Sequence, residues 1–522
     1  MRDYFKKDVT NFLRNTIFLV LFVWALIYYL HLFDSKLLLG DEGVAITNGW
    51  RISYREIPYR DFFVIIPPFS FFPTAFFLKI FGQSILAGRV ISFILAFLLV
   101  FLLNMVLNKT AGDIYLRIMS FSILIPFGIS YWPIPSHHWW ADLLCLLSIY
   151  FFFPRFEASH PEHSFGASSP EGSLFLSGIF CGLAVWTLQD QGGYLFILLI
   201  SFMFLRIIKK KEIYTFKSLT LFLAGFIFVA SLFLLWLLPT VGFSRLFQDL
   251  VLFPLASYHN LEGHKFDLFS GWEQVYQLFS QGAFLRAPLY SLTMAIITLF
   301  FFLLPLISIF SLVYGKRNKF CCSERIFLVF SLFVSGFLTS LHRWSFTNMV
   351  WALPLLLPSL IFLFEGRTKK VARIISLVLT ISAILFSFSF YRLSSLDRMV
   401  SVCGKAGCVK TFRSSYSLSV KQAVSYLDTN SKENETLFCF GFNSLINFLT
   451  LLKNPTPFND FVDYNTSNQY ENLLKSIDEK KVDWILIPIN GGKTNPKLEN
   501  IVIDKYQKKF ENKFCKIYYR IK

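Results

Sequence analysis

Over the first three quarters of the chain, long and almost unbroken apolar runs alternate with short charged stretches, and the runs carry no polar face of the kind that a soluble amphipathic helix shows. The first run, Thr16 to Phe33, follows Arg2, Lys6, Lys7 and Arg14. At about 1.5 Å per residue it reaches across much of a hydrocarbon core of about 30 Å. No small-residue cleavage site follows Phe33, so the run reads as an uncleaved span rather than a signal peptide. Further runs predict helices over 85–107, 115–133, 139–154, 173–189, 192–207, 218–240, 287–314, 325–341, 345–364 and 371–391, which makes about eleven crossings.

The piece from Pro68 to Phe81 is apolar but short, and it opens on a Pro pair. Charge decides its reading. If it does not cross, the basic stretches Arg206–Lys211, Lys316–Lys319 and Arg367–Arg373 all fall on the side of the basic N-terminus, which is the cytoplasmic side. It is therefore predicted to be an interfacial helix on the outer leaflet. The same count places on the outer face the loop from Asp34 to about Pro68, the turn from Trp132 to His138, the turn from Gln189 to Gly193, the loop from Val241 to Arg286, and the tail. The segment Glu157–Gly172, which contains Ser, Pro and His, reads as a flexible loop, and no internal repeat is evident.

From about Arg392 the pattern changes to that of a soluble α/β unit. Helices are predicted over Ser417–Asn430 and Asn468–Glu479, and strands over Glu435–Phe442, Val482–Ile489 and Phe514–Ile521. The expected fold class is thus a polytopic α-helical membrane protein with a C-terminal soluble α/β domain. Its divisions are a transmembrane domain over 1–391, with an outer loop over 34–84, and an extracytoplasmic domain over 392–522. That domain carries no Gly-rich phosphate loop and no nucleophile motif, so it reads as an accessory unit.

Composition agrees with the pattern: of 522 residues 54% are hydrophobic and only 16% charged, and the mean hydropathy is +0.53. That is too much apolar surface for one soluble core. The net charge of +17 comes from short basic runs between apolar segments, the mark of a membrane protein's cytoplasmic side, so nucleic acid is not an expected partner. The eight cysteines have no metal-ligand spacing. Cys145 and Cys181 lie in predicted spans as small apolar residues, and Cys321 and Cys322 face the reducing side. Cys403 with Cys408, and Cys439 with Cys515, are pairs that the outer compartment allows to form disulfides.

The chemistry centres on Gly40-Asp41-Glu42-Gly43, two adjacent carboxylates just after the first span. Inverting glycosyl transfer needs one carboxylate as general base on the acceptor hydroxyl. A phosphate leaving group departs as a stable anion and needs only cations to hold it. Asp41 or Glu42 supplies the first role, and Arg55, Arg60 or Arg343 the second. Arg343 lies between two apolar spans, where a cation calls for a phosphate or carboxylate partner. Arg89, inside the start of a span, reads as a snorkelling side chain.

Asp41-Glu42-Gly43, Ile57-Pro58-Tyr59-Arg60-Asp61-Phe62, Pro67-Pro68, Phe81-Gly82 and Arg89 form an ordered set. It resembles the GT-C glycosyltransferases that use polyprenyl-phosphate sugars, in the bacterial branch similar to protein O-mannosyltransferases, lipid A aminoarabinose transferases and rhizobial lipopolysaccharide-core transferases. His137-His138-Trp139-Trp140-Ala141-Asp142 is similar to a family segment bearing a second acid at the outer end of a helix. Gly182-Leu183-Ala184 with Thr187-Leu188-Gln189 is similar to a turn in which Leu188 replaces the usual Lys or Arg. His342-Arg343-Trp344 before Ala352-Leu353-Pro354 resembles a basic-aromatic turn.

The resemblance implies the GT-C fold in a bacterial inner membrane and transfer of a sugar from a polyprenyl-phosphate donor to an envelope glycan, lipid or protein acceptor. Asp41 would be the base, with Glu42 and Asp142 beside it in the catalytic set. Arg55, Tyr59, Arg60, His137, His138, Gln189 and Arg343 would contact substrate or phosphate. Family members differ in metal use, so a divalent cation stays open and no metal ligand is assigned. The competing classes are a lipid or sugar transporter or flippase, which would carry mid-membrane charges and symmetric halves, and a noncatalytic scaffold.

Overall fold

The computed structural model describes residues 2–110, 113–152, 170–209, 215–256, 287–317, 323–341, 346–394, 399–441, 443–459, 466–489 and 504–521. Arg343, Cys321 and Cys322 lie outside these, as does most of the Val241–Arg286 loop.

Among the described residues up to Ser394, the regular elements are helices. They are α1 (Arg2–Leu32), α2 (Asp41–Ser53), α3 (Phe71–Phe81, entered through a 3-10 turn at Pro68–Ser70), α4 (Ile85–Thr110), α5 (Ile114–Phe127) and α6 (His137–Phe152). There follow α7 (Pro170–Val185), α8 (Gln189–Ile208), α9 (Phe216–Val241), α10 (Ala287–Arg317), α11 (Ser323–Leu341), α12 (Phe346–Leu356) and α13 (Lys369–Ser394). Five described helices are long and apolar enough to cross a membrane: Ile85–Thr110, Gln189–Ile208, Phe216–Val241, Ser291–Tyr314 and Lys369–Phe390. Shorter apolar helices surround them, among them Thr16–Leu32, Ile114–Phe127 and Arg325–Leu341.

Local sequence sets the boundaries. Asp113 caps α5 by accepting from Tyr115 N, and Thr215 and Ser218 form a capping box at the start of α9. The α5 run ends at Phe127, short of the predicted 133, one residue after Pro126. The predicted 345–364 helix is α-helical only to Leu356 and continues as a 3-10 turn over Leu357–Phe364, because Pro354 and Pro358 each remove a backbone donor. Helices α7 and α9 cross in close contact: a Cβ at Gly178 would stand 2.0 Å from Phe222 O, and one at Gly225 2.1 Å from Phe175 O.

The bundle has two chemically different ends. At one, Arg373 pairs with Asp113 at 3.1 Å and Arg325 with Glu365 at 2.7 Å, close in sequence to the basic runs. At the other, α1 delivers Phe33, α4 begins and the C-terminal region docks. Both ends of the Pro68–Phe81 segment lie at this second end: Phe69 N donates to Trp186 O at 3.1 Å, and Ile85, just past it, donates to Ala406 O at 2.8 Å.

The C-terminal region opens with a hairpin of β1 (Met399–Gly404) and β2 (Gly407–Phe412), which the sequence pattern does not announce, closed by a Cys403–Cys408 disulfide. After α14 (Ser415–Asn430) come β3 (Leu437–Cys439), α15 (Leu445–Thr450), α16 (Ser467–Glu479), β4 (Trp484–Pro488), β5 (Tyr506–Glu511) and β6 (Cys515–Arg520). The strand order is β3-β4-β6-β5, with only β3 and β4 parallel. Cys439 and Cys515 are both free, contrary to the second disulfide that compartment allows. Strand β4 lies between the two strands that carry them, which separates them by roughly two strand spacings of about 4.8 Å, beyond a disulfide's reach. Leu39, Ile46, Trp50, Leu78 and Ile85 share one buried cluster with Val402, Val420, Leu437, Phe448 and Leu486, so the segment around the acid pair and the C-terminal region have a common core.

Candidate active site

The acid pair does not sit in a loop. Asp41 and Glu42 form the first turn of α2, which is not capped by a side chain and whose first backbone bond runs from Val44 N to Gly40 O at 2.8 Å. An anion at a helix N-terminus is favoured by about 0.3–1 kcal/mol, so the acids also help to start the helix. The two adjacent side chains diverge. Glu42 is fully buried, while Asp41 is half-buried and opens on a cleft.

Glu42 is held by Arg89. The guanidinium donates to Oε1 through Nε at 2.7 Å and to Oε2 through Nη2 at 2.8 Å. It also donates to Phe33 O at 3.1 Å, Ser35 O at 2.7 Å and Lys36 O at 2.9 Å, which ties the segment leading into α2 to the start of α4. Arg89 is 1% exposed, so it does not snorkel. Both oxygens of Glu42 are thus engaged by Arg89, and the carboxylate does not line the cleft.

The outer side of α2 is joined to the C-terminal region. A Cβ at Gly43 would lie 2.4 Å from Leu445 N, so any larger residue there would push the two elements apart. Leu445 N donates to Leu39 O at 3.1 Å, Thr47 Oγ1 to Ser444 O at 3.2 Å, and Asn459 Nδ2 to Asn48 Oδ1 at 2.6 Å. Arg51 pairs with Glu56 at 2.6 Å and donates to Thr456 O at 2.9 Å and Asn459 Oδ1 at 3.1 Å.

Asp41 therefore lies at a joint. The cleft of about 370 Å³ onto which it opens is lined on one side by Leu37–Gly40 and Trp132, and on the other by Tyr416, Asn443 and Phe514 of the C-terminal region. From Trp132 an aromatic series leads into the bundle: Trp351 lies 6.0 Å away edge-on, His138 stacks on Trp351 at 3.9 Å, and His137 lies 4.2 Å from His138. The indole nitrogens of Trp132 and Trp351 are buried without a hydrogen-bond partner among the described residues. Lys36 Nζ lies 3.8 Å above the Tyr131 ring and 4.8 Å from that of Trp132, which puts a cation against the same wall.

Asp142 is not in the first turn of its helix. It is the sixth residue of α6 and 1% exposed; Gln191 Nε2 donates to its Oδ1 at 2.8 Å, while Oδ2 has no partner among the described residues. Gln191 is fixed in turn by Ser335 Oγ, which donates to its carbonyl at 2.6 Å.

The other predicted contacts fare differently. Tyr59 is fully buried and donates its hydroxyl to Ile66 O at 2.8 Å, inside the loop. Arg60 is exposed but paired with Asp61 at 2.9 and 2.7 Å, and that guanidinium holds the Asp61 carboxyl below its usual range. Arg55 is exposed with a positive φ of 71°. Gln189 opens α8 instead of lying in a turn, and its Nε2 donates to Leu250 O at 3.3 Å. Among the described residues no three His, Cys, Asp or Glu side chains come together as a metal site.

No protein-family model matches the sequence, and no curated protein sequence does. Solved structures do resemble it. ArnT from Cupriavidus metallidurans bound to undecaprenyl phosphate superposes with a TM-score of 0.55 at 9% identity, over 96% of this chain and 98% of that one. Its apo state gives 0.55 at 10% identity over 97% and 98%. The Archaeoglobus fulgidus oligosaccharyltransferase in complex with Zn and sulfate gives 0.50 at 16% identity, over 90% of this chain and 68% of that one. ArnT and the oligosaccharyltransferase are both GT-C glycosyltransferases, and the chain described here has their fold.

Proposed function

We propose that the chain is an integral membrane glycosyltransferase that moves a sugar from a polyprenyl-phosphate donor to an acceptor hydroxyl on the extracytoplasmic face, with inversion. The observation that carries this reading is Asp41 itself: a half-buried carboxylate at the cleft, fixed by a buried ion pair one residue on, in a fold shared with a protein crystallised with undecaprenyl phosphate. The position at the start of α2 favours the ionised form, which a base requires. Asp41 takes the acceptor's proton, the acceptor oxygen bonds to the anomeric carbon, and the bond from that carbon to the phosphate oxygen breaks. The polyprenyl phosphate leaves as an anion, with Arg55 and Arg343 proposed as the cations that hold it. The basic pairs at the far end of the bundle support an extracytoplasmic cleft and C-terminal domain, by the rule that basic loops stay inside.

The test is Asp41→Asn, purified in detergent and assayed with a polyprenyl-phosphate sugar and an envelope extract as acceptor. Transfer should fall by about 10²–10⁴-fold, the usual worth of a general base, while the melting temperature stays within a degree or so. Full activity would remove Asp41 from the role. A transporter or flippase is the second reading, favoured by buried Asp142, one oxygen of which has no partner among the described residues. Lipid translocation lost in Asp142→Asn, with no sugar transfer in the parent protein, would select it.

A further inference from the structure

The cleft beside Asp41 has a chemistry of its own. Two of its walls are aromatic and belong to different parts of the chain: Trp132 follows α5, while Tyr416 and Phe514 come from the C-terminal region. Tyr416 is 52% exposed and meets Phe514 edge-on, with ring centroids 5.2 Å apart. The lining residues carry as polar side-chain groups the Asp41 carboxylate, the Tyr416 hydroxyl, the Trp132 indole N–H and the Asn443 amide, whose Nδ2 also donates to Phe440 O at 2.8 Å, and among the described residues lining the cleft none is a Lys or Arg.

That set discriminates between ligands. A phosphate would be desolvated beside a carboxylate with no cation in the lining, which is unfavourable. A sugar ring fits on each count. Its C–H faces carry slightly positive hydrogens that match the negative face of an aromatic ring, and its hydroxyls both donate and accept toward a carboxylate and an amide. A volume of about 370 Å³ falls at the small end of ligand pockets, suited to one or two rings and too small for a folded acceptor.

We infer that this cleft is a carbohydrate-acceptor subsite, in which Tyr416 and Trp132 hold the acceptor's terminal sugar so that one of its hydroxyls faces Asp41. The acceptor is thereby a glycan, free or lipid-linked, rather than a peptide. The C-terminal region is a specificity element, since it supplies Tyr416, Asn443 and Phe514. This inference rests on the glycosyltransferase reading above for the role of Asp41, but the subsite is a matter of binding and is tested without turnover.

The experiment is saturation-transfer NMR on the full-length protein in detergent, using the methyl glycosides of glucose, galactose, mannose and N-acetylglucosamine as probes. A blocked Ser- and Thr-containing tripeptide is the alternative probe. At least one glycoside should show transfer. Tyr416→Ala should lower its affinity at least tenfold, whereas Tyr416→Phe, which keeps the ring face, should bind within twofold of the parent. Undecaprenyl phosphate binding, followed on the same samples by native mass spectrometry, should be unchanged in both variants. Failure of every glycoside to bind, equal binding by Tyr416→Ala, or binding of the tripeptide alone would overturn the inference. Glycoside binding that persists while undecaprenyl phosphate fails to bind would count against the glycosyltransferase reading and leave the sugar subsite standing.

Discussion

Removing either partner of the Glu42–Arg89 pair should release the acid-bearing segment without unfolding the bundle. Both side chains are buried, at 0% and 1% exposure, so solvent does not screen the loss. Replacing Arg89 by Met leaves Glu42 without the two bonds to its carboxylate and strands the carbonyls of Ser35 and Lys36, at 2.7 and 2.9 Å in the parent. Breaking a buried pair from one side costs about 3–5 kcal/mol, whereas replacing both partners by apolar or neutral groups costs far less. At about 1.4 kcal/mol per factor of ten, the single change shifts local opening of residues 33–44 by roughly a hundred- to several-thousand-fold. Hydrogen exchange of peptides covering 33–47, read by mass spectrometry in Glu42→Gln, Arg89→Met and the double variant, measures this. Each single variant should lose protection there and lose transfer, and the double variant should recover part of the protection. Protection within twofold of the parent in both single variants, or strictly additive losses in the double, would refute a pair that holds Asp41 in place.

Two further predictions concern the same end of the bundle. The Cys403–Cys408 hairpin touches the segments on either side of the site, through Lys410 N to Asp34 O at 2.6 Å and Ile85 N to Ala406 O at 2.8 Å. Cys403→Ser with Cys408→Ser should cost about 2 kcal/mol for so short a loop and lower transfer, and reductant should do the same to the parent but not to the variant. Burial pushes the Asp249 carboxyl up to about 6 from a usual 3.8, with Arg245 pulling it partly back. Since the folded state binds this proton more tightly, the associated stability is complete below pH 3.8 and is lost as pH rises through about 6. Asp249→Asn should therefore melt higher than the parent at pH 7.5 and close to it at pH 4.5; a pH-independent difference would rule out this titration.

The helical membrane class was legible from the chain because burial in lipid imposes one strong local rule: a helix facing hydrocarbon must be apolar along its length. Charge on the connecting stretches is likewise a local signal, and it is the ground on which Pro68–Phe81 is expected to lie at the outer interface. The C-terminal strands with buried, β-branched runs, such as Trp484–Pro488, could be read, whereas the hairpin over 399–412 could not, because each of its strands buries only one residue, Val402 or Val409, too little to set a strand pattern.

The site was legible only in its identities. That Asp41 and Glu42 are adjacent acids is written in the chain; that one is buried against Arg89 and the other faces a cleft follows from α2 being a helix, in which neighbouring side chains point about 100° apart. Arg89 carried a usable signal, a cation inside an apolar run that is costly unless paired, but its partner stands 47 positions away and no period links them. Tyr59 and Arg60 looked alike as loop residues and separated only when one hydroxyl found Ile66 O and one guanidinium found Asp61. By itself, then, the sequence determined the solvent in which this protein lives, the approximate order of its helices and the residue types available for chemistry. Tertiary structure alone decided which acid is buried against Arg89, which one lines the cleft and which side chains wall that cleft, because Trp132 and Tyr416 are brought together by the docking of two distant segments, through contacts that no local pattern encodes.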